Sequence, residues 1–177
     1  MKMTILAIML VFTLNASAQT GTPAPTLRSV LLEQLRSTHN KSDWFVCGDV
    51  ALANLTAEQA NWSDGKGNHS VAQLATHLVF WNSRTLAKFR GQPEAKFSGN
   101  NDETFAKVDA KQWAATIQQF DQVMTDLEAL VQSAPDAKLA EWSPTIANIS
   151  THNAYHIGEI VMVRKEQGAW DASKGVK

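Results

Sequence analysis

The sequence predicts an all-α protein that folds as an antiparallel four-helix bundle. Four long segments carry apolar residues three and four positions apart, and no segment shows a convincing strand alternation. With 177 residues, 44% of them hydrophobic, the chain is long enough to bury the core of one domain. The charge is nearly balanced, with 16 Lys and Arg against 17 Asp and Glu, and does not indicate a nucleic-acid-binding protein.

The first 18 residues have the pattern of a secretory signal peptide. A basic start at Lys2 precedes an apolar stretch and Ala-Ser-Ala at 16–18, and the apolar run is too short for a membrane span. We therefore expect residues 1–18 to be removed, 19–25 to form an extended leader and 26–177 to form a single four-helix domain. Export to the periplasm or the medium follows, with no stable membrane span after signal removal; a retained N-terminal anchor is the alternative.

The first helix is predicted from its N-cap Thr26 to about Asn40, because apolar residues recur three and four apart. After a break near 41–43, helix is expected to resume over 44–55. A single helical turn is predicted at 56–62, before a loop rich in Gly and Asn. The predicted inner face of the first helix consists of Leu27, Val30, Leu31, Gln34, Leu35 and Thr38.

The second long helix opens with a capping box formed by Ser70 and Gln73, in which each side chain meets the other residue's backbone amide. Gly91 and Pro93 should end it. His77 lies at the edge of the apolar stripe of this helix. That stripe consists of Val71, Leu74, Ala75, Leu78, Trp81, Thr85 and Phe89.

The third and fourth helices follow a stretch at 94–107 that has few large apolar residues and is predicted as a surface connection. The third helix, about 110–132, is expected to serve in packing alone. The fourth is predicted from 146 to 167, after Ser143-Pro144, with Gly168 as its stop. The inner faces are predicted to be Trp113, Ile117, Phe120, Met124, Leu127 and Val131 on the third helix, and Ile149, His152, His156, Ile160 and Val163 on the fourth.

Two histidines stand four residues apart on the inner face of the fourth helix. Positions i and i+4 are neighbours on a helix surface, so the imidazoles of His152 and His156 can converge on one point. A catalytic divalent ion usually takes three protein ligands, and His77 is the best-placed third. The alternative is a set of core histidines bonded to their neighbours. Asn153 stands where a zincin peptidase has glutamate, which disfavours that class.

The other histidines and the single cysteine have different predicted roles. His69, in a loop, and His39, at the polar end of the first helix, are expected to be surface or capping residues. Cys47 is expected to be a small buried residue, and one cysteine cannot form an intramolecular disulfide. Glu159 follows His156 by one turn and could orient a ligand imidazole, act as a base, or simply be solvated.

These motifs resemble those of the DinB-like (damage-inducible, YfiT-like) superfamily of four-helix metalloproteins. The segment 70–82, with His77, is similar to the second-helix motif, and 151–160, with His152 and His156, is similar to the fourth-helix motif. The likeness extends over essentially the whole chain after the signal segment. It implies a divalent ion on these three histidines and a fold that often dimerises. Three imidazoles suit zinc or nickel, with iron and copper as alternatives.

Two functions remain open from the sequence. One is a metal-dependent hydrolase or transferase that acts on a small molecule at an open coordination position; the other is a non-catalytic exported protein that sequesters a metal or ligand. Members of the resembling family include thiol-dependent transferases and isomerases, but small cytosolic thiols are scarce outside the cytosol. No cluster of Arg or Lys accompanies the histidine motifs to indicate a phosphate or carboxylate substrate.

Overall fold

The computed structural model describes residues 24–175, in which it contains helices and no strand. The predicted signal peptide and most of the predicted leader lie outside the described residues. The predicted all-α four-helix bundle is confirmed, with α1, α4, α5 and α6 as its long helices. The α-helices are α1 (Leu27–His39), α2 (Gly48–Leu52), α3 (Ala57–Ala60), α4 (Val71–Phe89), α5 (Ala110–Ser133) and α6 (Asp136–Glu166), with short 3-10 helices at Asn101–Thr104 and Ala172–Lys174.

Helices α1 and α4 each pack against both α5 and α6. The antiparallel partner of α1 is α5: near the start of α1, Arg28 donates to the carbonyl oxygen of Gln132 at 3.0 Å, and at its end His39 lies 3.0 Å from Asp121. Arg28 also donates to Asp136 at 2.7 Å. It therefore ties α1 to the junction of α5 and α6, and it satisfies a carbonyl group that the end of α5 leaves unpaired.

The antiparallel partner of α4 is α6. His77, in the first half of α4, faces His156, and Phe89 at the end of α4 stacks on Trp142 with ring centroids 4.6 Å apart. The inner faces predicted for these helices are largely buried, and the most exposed positions of the α4 stripe, Trp81 among them, border a pocket. No helix within residues 24–175 has the length and apolar character that crossing a bilayer requires.

Helices α4 and α5 follow each other in sequence yet run in the same direction. The amide of Ala106, just before α5, donates to the hydroxyl of Thr76 at 2.9 Å, whereas Arg90, just after α4, pairs with Asp126 at 3.2 Å. The chain between these helices must therefore return along the bundle. Residues 90–109 make this return, and they pass over the side of α4 that carries His77.

The stripe of α5 supplies the centre of the core, as predicted. Phe120 is 1% exposed, and its ring lies so close to Gly48 that a Cβ there would sit 2.5 Å from a ring carbon. A side chain at position 48 would therefore force the Phe120 ring or the start of α2 to move. The other members of the stripe are buried, apart from Ile117, which is partly buried against the core.

The buried face of α1 differs from the prediction. Leu27 and Val30 are 46% and 44% exposed, while Leu32 and His39 are buried. Gln34, also predicted on the inner face, is exposed. Because α1 packs against both α5 and α6, its buried face is rotated about the helix axis relative to the predicted one. The prediction that His39 is a surface or capping residue is therefore wrong.

The helix predicted over 44–55 is wrong at both ends, since only α2 forms there. Trp44 is 91% exposed, and the amide of Cys47 donates to the hydroxyl of Ser42 at 3.1 Å, which holds the chain out of helix until Gly48. Asn54 adopts a left-handed conformation with φ 60° and prevents continuation of the helix. Cys47 is buried, as predicted, and the turn predicted at 56–62 is confirmed as α3.

Helix α6 begins ten residues before the predicted start at 146, and Pro144 lies inside it. Proline cannot donate to the carbonyl oxygen of Ala140, four residues earlier. The hydroxyl of Ser143 donates to that oxygen at 2.9 Å instead. With the carbonyl satisfied, burial of Leu139 in the core stabilises the additional turns.

Candidate metal centre

Three histidines from α4 and α6 bring their Nε2 atoms together. The Nε2 atom of His152 lies 3.0 Å from that of His77 and 3.1 Å from that of His156. Because an imidazole nitrogen binds zinc at about 2.0–2.1 Å, one ion can bridge nitrogens at such separations. The structure thus places the three predicted ligands in one cluster that could hold an ion.

Thr104 determines which nitrogen of His77 faces the cluster. The hydroxyl of Thr104 donates to the carbonyl oxygen of Asn101 at 2.7 Å, so its oxygen is left to accept from Nδ1–H of His77 at 2.5 Å. With the proton assigned to Nδ1, the lone pair of His77 lies on Nε2. This is the tautomer that a metal ligand at this position needs.

Glu159 does the same for His156. Its carboxylate lies 2.6 Å from Nδ1 of His156, which places the proton on Nδ1 and the lone pair on Nε2. Glu159 lines a different cavity from the one that the three histidines share. Of the roles considered for Glu159, the contact matches the orienting one.

The residues present fit a cation. The Nε2 atom of His152 carries at most one proton, yet it faces the Nε2 lone pairs of both His77 and His156, so it cannot satisfy both. The Nδ1 atom of His152 is buried and has no hydrogen-bond partner among residues 24–175. A divalent ion would accept the three Nε2 lone pairs at once, which no single proton can do.

Burial keeps His77 and His152 uncharged. It lowers the pKa of His77 to about 3, and the neighbouring imidazoles of His156 and His152 act in the same direction. Burial likewise lowers the pKa of His152 to about 4, again with help from His156. Both rings are therefore neutral at neutral pH, and the neutral ring is the form that binds a metal.

The connection between α4 and α5 contributes two residues that the sequence analysis missed. Thr104 is buried against His77, and the ring of Phe105 stacks on His77 with centroids 4.0 Å apart. The prediction of a mere surface connection at 94–107 is therefore wrong at these positions. The signal in the sequence was Phe105 itself, the only aromatic residue between 98 and 107.

His69 is exposed, as predicted, and does not join the cluster. It stacks on the outer face of Phe105 with centroids 3.8 Å apart, so that Phe105 lies between His69 and His77. This stack encloses the Phe105 ring between two imidazoles. His69 therefore supports the wall of the site without facing the Nε2 atoms.

His39 lies apart from the three-histidine cluster, and carboxylates of α5 contact both of its ring nitrogens. Its two ring nitrogens lie 2.6 Å from Glu128 and 3.0 Å from Asp121. His39, Asp49 and Asp121 also lie close enough together to form a second group that could hold an ion. However, carboxylates already contact both ring nitrogens of His39, and these contacts account for its burial. Helix α5 thus does more than the packing predicted for it.

Asn153 points away from the histidine cluster. Its amide exchanges two hydrogen bonds with Asn82 of α4, at 3.0 and 3.1 Å, and both residues are fully buried. A glutamate at position 153 would therefore face the core and not the Nε2 atoms. The sequence offered no signal for this pairing, because nothing local marks two asparagines 71 positions apart as partners.

A pocket of about 530 Å³ opens beside the cluster, and all three histidines line it. Its walls come from α4, α6 and the connection that carries Phe105. The pocket is open to solvent, so that a small molecule can reach the histidines. Its other aromatic and aliphatic lining residues include Trp81, Ile149 and Tyr155.

Replacing Thr104 with valine should weaken metal binding about 10-fold to 100-fold, because Nδ1–H of His77 loses the acceptor that fixes its tautomer. Competition between the protein and a chromogenic zinc chelator measures the affinity. Thr104→Ser keeps the hydroxyl and should keep the affinity. Thr151→Val is the matched control, because the Thr151 hydroxyl donates to its own helix at Ala147; equal affinities for Thr104→Val and wild type would contradict the assignment.

The comparison with family models agrees with this geometry. A model of the DinB superfamily matches residues 49–161, a range that contains all three histidines, Thr104 and Glu159. No curated protein and no solved structure matches the chain. The match extends over more than half of the sequence, and it covers α4, α5 and the part of α6 that carries His152 and His156. The chain belongs to the DinB superfamily.

Proposed function

We propose that this protein is an exported metal-dependent enzyme, a hydrolase or transferase that acts on a small molecule. One observation carries the proposal: the Nε2 atoms of His77, His152 and His156 converge at the wall of a pocket that is open to solvent. A sealed cluster would have favoured a structural ion. An accessible one favours contact between a bound ion and a substrate.

The residues of the chain have separable roles in this proposal. His77, His152 and His156 would hold the ion through Nε2, and zinc or nickel is proposed because both accept imidazole ligands. Such an ion would supply Lewis-acid chemistry: it would polarise a substrate group or activate a nucleophile. Thr104 and Glu159 keep protons on the Nδ1 atoms of His77 and His156 and so aim the lone pairs inward.

The pocket walls have a role as well. Phe105 covers one face of His77, and Trp81 and Ile149 form apolar surface beside the cluster. Apolar walls limit the water around a bound substrate and strengthen electrostatic interactions there. A substrate placed in the pocket would therefore meet the histidine cluster in a partly dry environment.

The alternative is a non-catalytic exported protein that binds a metal or ligand. One observation favours it: among residues 24–175, no carboxylate or lysine lines the pocket to act as a general base. In that case the same histidines would capture an ion or a ligand without turning it over.

The test is elemental analysis of protein purified from its native compartment, followed by a screen of hydrolase and thiol-transfer substrates. We expect about one divalent ion per chain and turnover that His152→Ala abolishes. Thr151→Val is the control, because the Thr151 hydroxyl donates to Ala147 of its own helix and Thr151 does not line the pocket. Metal-free protein would contradict the proposed site, and stoichiometric metal without turnover would favour the binding alternative.

Export and dimerisation are proposals too. The pattern at residues 1–18 supports export, and N-terminal sequencing of the mature protein should begin at Gln19. Fractionation of the native cells should recover the protein outside the cytoplasm. The resemblance to family members that dimerise supports a homodimer, which light scattering after gel filtration can test.

A further inference from the structure

The pocket beside the histidines has a composition that selects among substrates. We propose that it accepts a small, uncharged molecule that is largely aromatic or apolar. The absence of charge concerns the part of the molecule that contacts the walls, since a bound ion could itself pair with an anionic group at the histidines. The inference rests on the proposed function in that it names the substrate class of the same site. It can be tested without metal, however, because it concerns the pocket walls and not the ion.

The walls are mostly apolar and partly rigid. Trp81 packs against Phe80 and Phe97, with ring centroids 5.3 Å apart in each pair, so its indole is held in place. Phe105 is fixed by its stacking on His77. Fixed aromatic surfaces bind flat rings with little loss of conformational entropy. The volume of about 530 Å³ suits a molecule of one to three rings.

No aspartate, glutamate, lysine or arginine in the described part of the chain lines the pocket. The polar side chains that do line it, apart from the histidines and Tyr155, are hydroxyls and amides such as Thr85, Thr145 and Asn148. These groups can bond a neutral polar atom but cannot neutralise a formal charge. A charged group placed against the walls would lose hydration without gaining an ion pair.

Arg84 does not supply the pocket with a positive charge, although it lies between Trp81 and Thr85 in the sequence of α4. Its guanidinium pairs with Glu94 and donates to the carbonyl oxygen of Ala95 at 2.5 Å. It also lies 5.5 Å from the centre of the Phe97 ring. These contacts hold Arg84 against residues of the connection, and it does not line the pocket.

Two fluorescent probes that share one skeleton test the inference. N-phenyl-1-naphthylamine is neutral, and 1-anilinonaphthalene-8-sulfonate adds one negative charge to the same rings. Both are titrated into the chelator-treated mature protein, in which no bound cation can attract the sulfonate. We expect the neutral probe to bind about tenfold more tightly or better, because the pocket offers the sulfonate no cationic partner.

Variants show whether the probe occupies this pocket. Trp81→Ala should weaken binding of the neutral probe about tenfold, whereas Trp44→Ala should leave it unchanged, because Trp44 is exposed and lies outside the pocket. Tyr155→Ala provides a second pocket variant with a mainly exposed side chain, so it should fold even if Trp81→Ala does not. Circular dichroism checks the fold of each variant.

The outcomes separate the inference from the proposed function. Preference for the neutral probe, weakened by Trp81→Ala or by Tyr155→Ala in a folded protein, supports the inference whether or not the protein binds metal. Equal affinity for the two probes overturns it. So does a neutral-probe affinity that neither folded pocket variant changes. Failure of the metal site appears separately, as metal-free protein in the elemental analysis.

Discussion

Replacing Phe120 with alanine should lower the free energy of unfolding by about 3–5 kcal/mol. Phe120 is among the largest fully buried side chains of the described residues, and its ring fills the space beside Gly48. The rings of Phe120 and His39 also pack in a T-shaped arrangement, with centroids 6.2 Å apart. Truncation would leave a cavity that neither α2 nor the buried imidazole can readily fill. Urea unfolding of metal-free protein, followed by circular dichroism, measures the change.

Trp44→Ala is the control for the loss of an aromatic side chain. Because Trp44 is 91% exposed, its removal should change the stability by less than about 0.5 kcal/mol. Phe120→Leu should fall between the two, since it keeps part of the buried volume. A loss below about 1 kcal/mol for Phe120→Ala would contradict the central position of this residue in the core.

Saturating metal should stabilise the folded protein by about 2.7 kcal/mol when the ion is in hundred-fold excess over its dissociation constant. The gain follows if the ion binds the folded cluster and not the unfolded chain. His152→Ala should remove most of it, because His152 Nε2 lies within 3.1 Å of both other Nε2 atoms. Thermal unfolding with and without zinc or nickel measures the gain in each protein.

The apo form of His152→Ala should remain helical, because the buried stripes of α4 and α5 do not depend on an ion. His69→Ala is the matched histidine control and should keep the full gain, since its ring stacks on Phe105 outside the cluster. Suppose that wild type and His152→Ala melt alike with zinc, nickel, iron and copper. The histidines would then not form a metal site.

The sequence by itself determined the elements that depend on local chemistry. Thr26, Ser70 and Asp109 each form a capping box with the residue three positions later. Four consecutive residues are therefore enough to specify where α1, α4 and α5 begin. The apolar stripe of α5 has a period that only one helix face can satisfy. The i and i+4 spacing of His152 and His156 fixes their common face in the same local way.

The third member of the cluster was predictable for a related reason. His77 lies at the edge of the apolar stripe of α4, and a bundle of four helices brings such edges together. The structure places its Nε2 atom 3.0 Å from that of His152. That these residues bind an ion stays a prediction, for which the metal titration is the test.

Only the tertiary structure decided what depends on distant partners. His39 is buried because α5 supplies Asp121 and Glu128 as partners for its ring nitrogens. These residues lie more than 80 positions away, so no local pattern in α1 could predict them. Asn82 and Asn153 pair across the core for the same reason. Such contacts form when helices pack, so a periodicity within one helix cannot reveal them.

The path of the chain around the site was likewise decided only by the tertiary structure. Because α4 and α5 run in the same direction, residues 90–109 must return along the bundle, and this return places Thr104 and Phe105 against His77. The sequence of the connection is polar and reads as surface. Its two contacts with the histidine are set by helix direction, which arises from packing of the whole bundle and not from the local preferences of the connection.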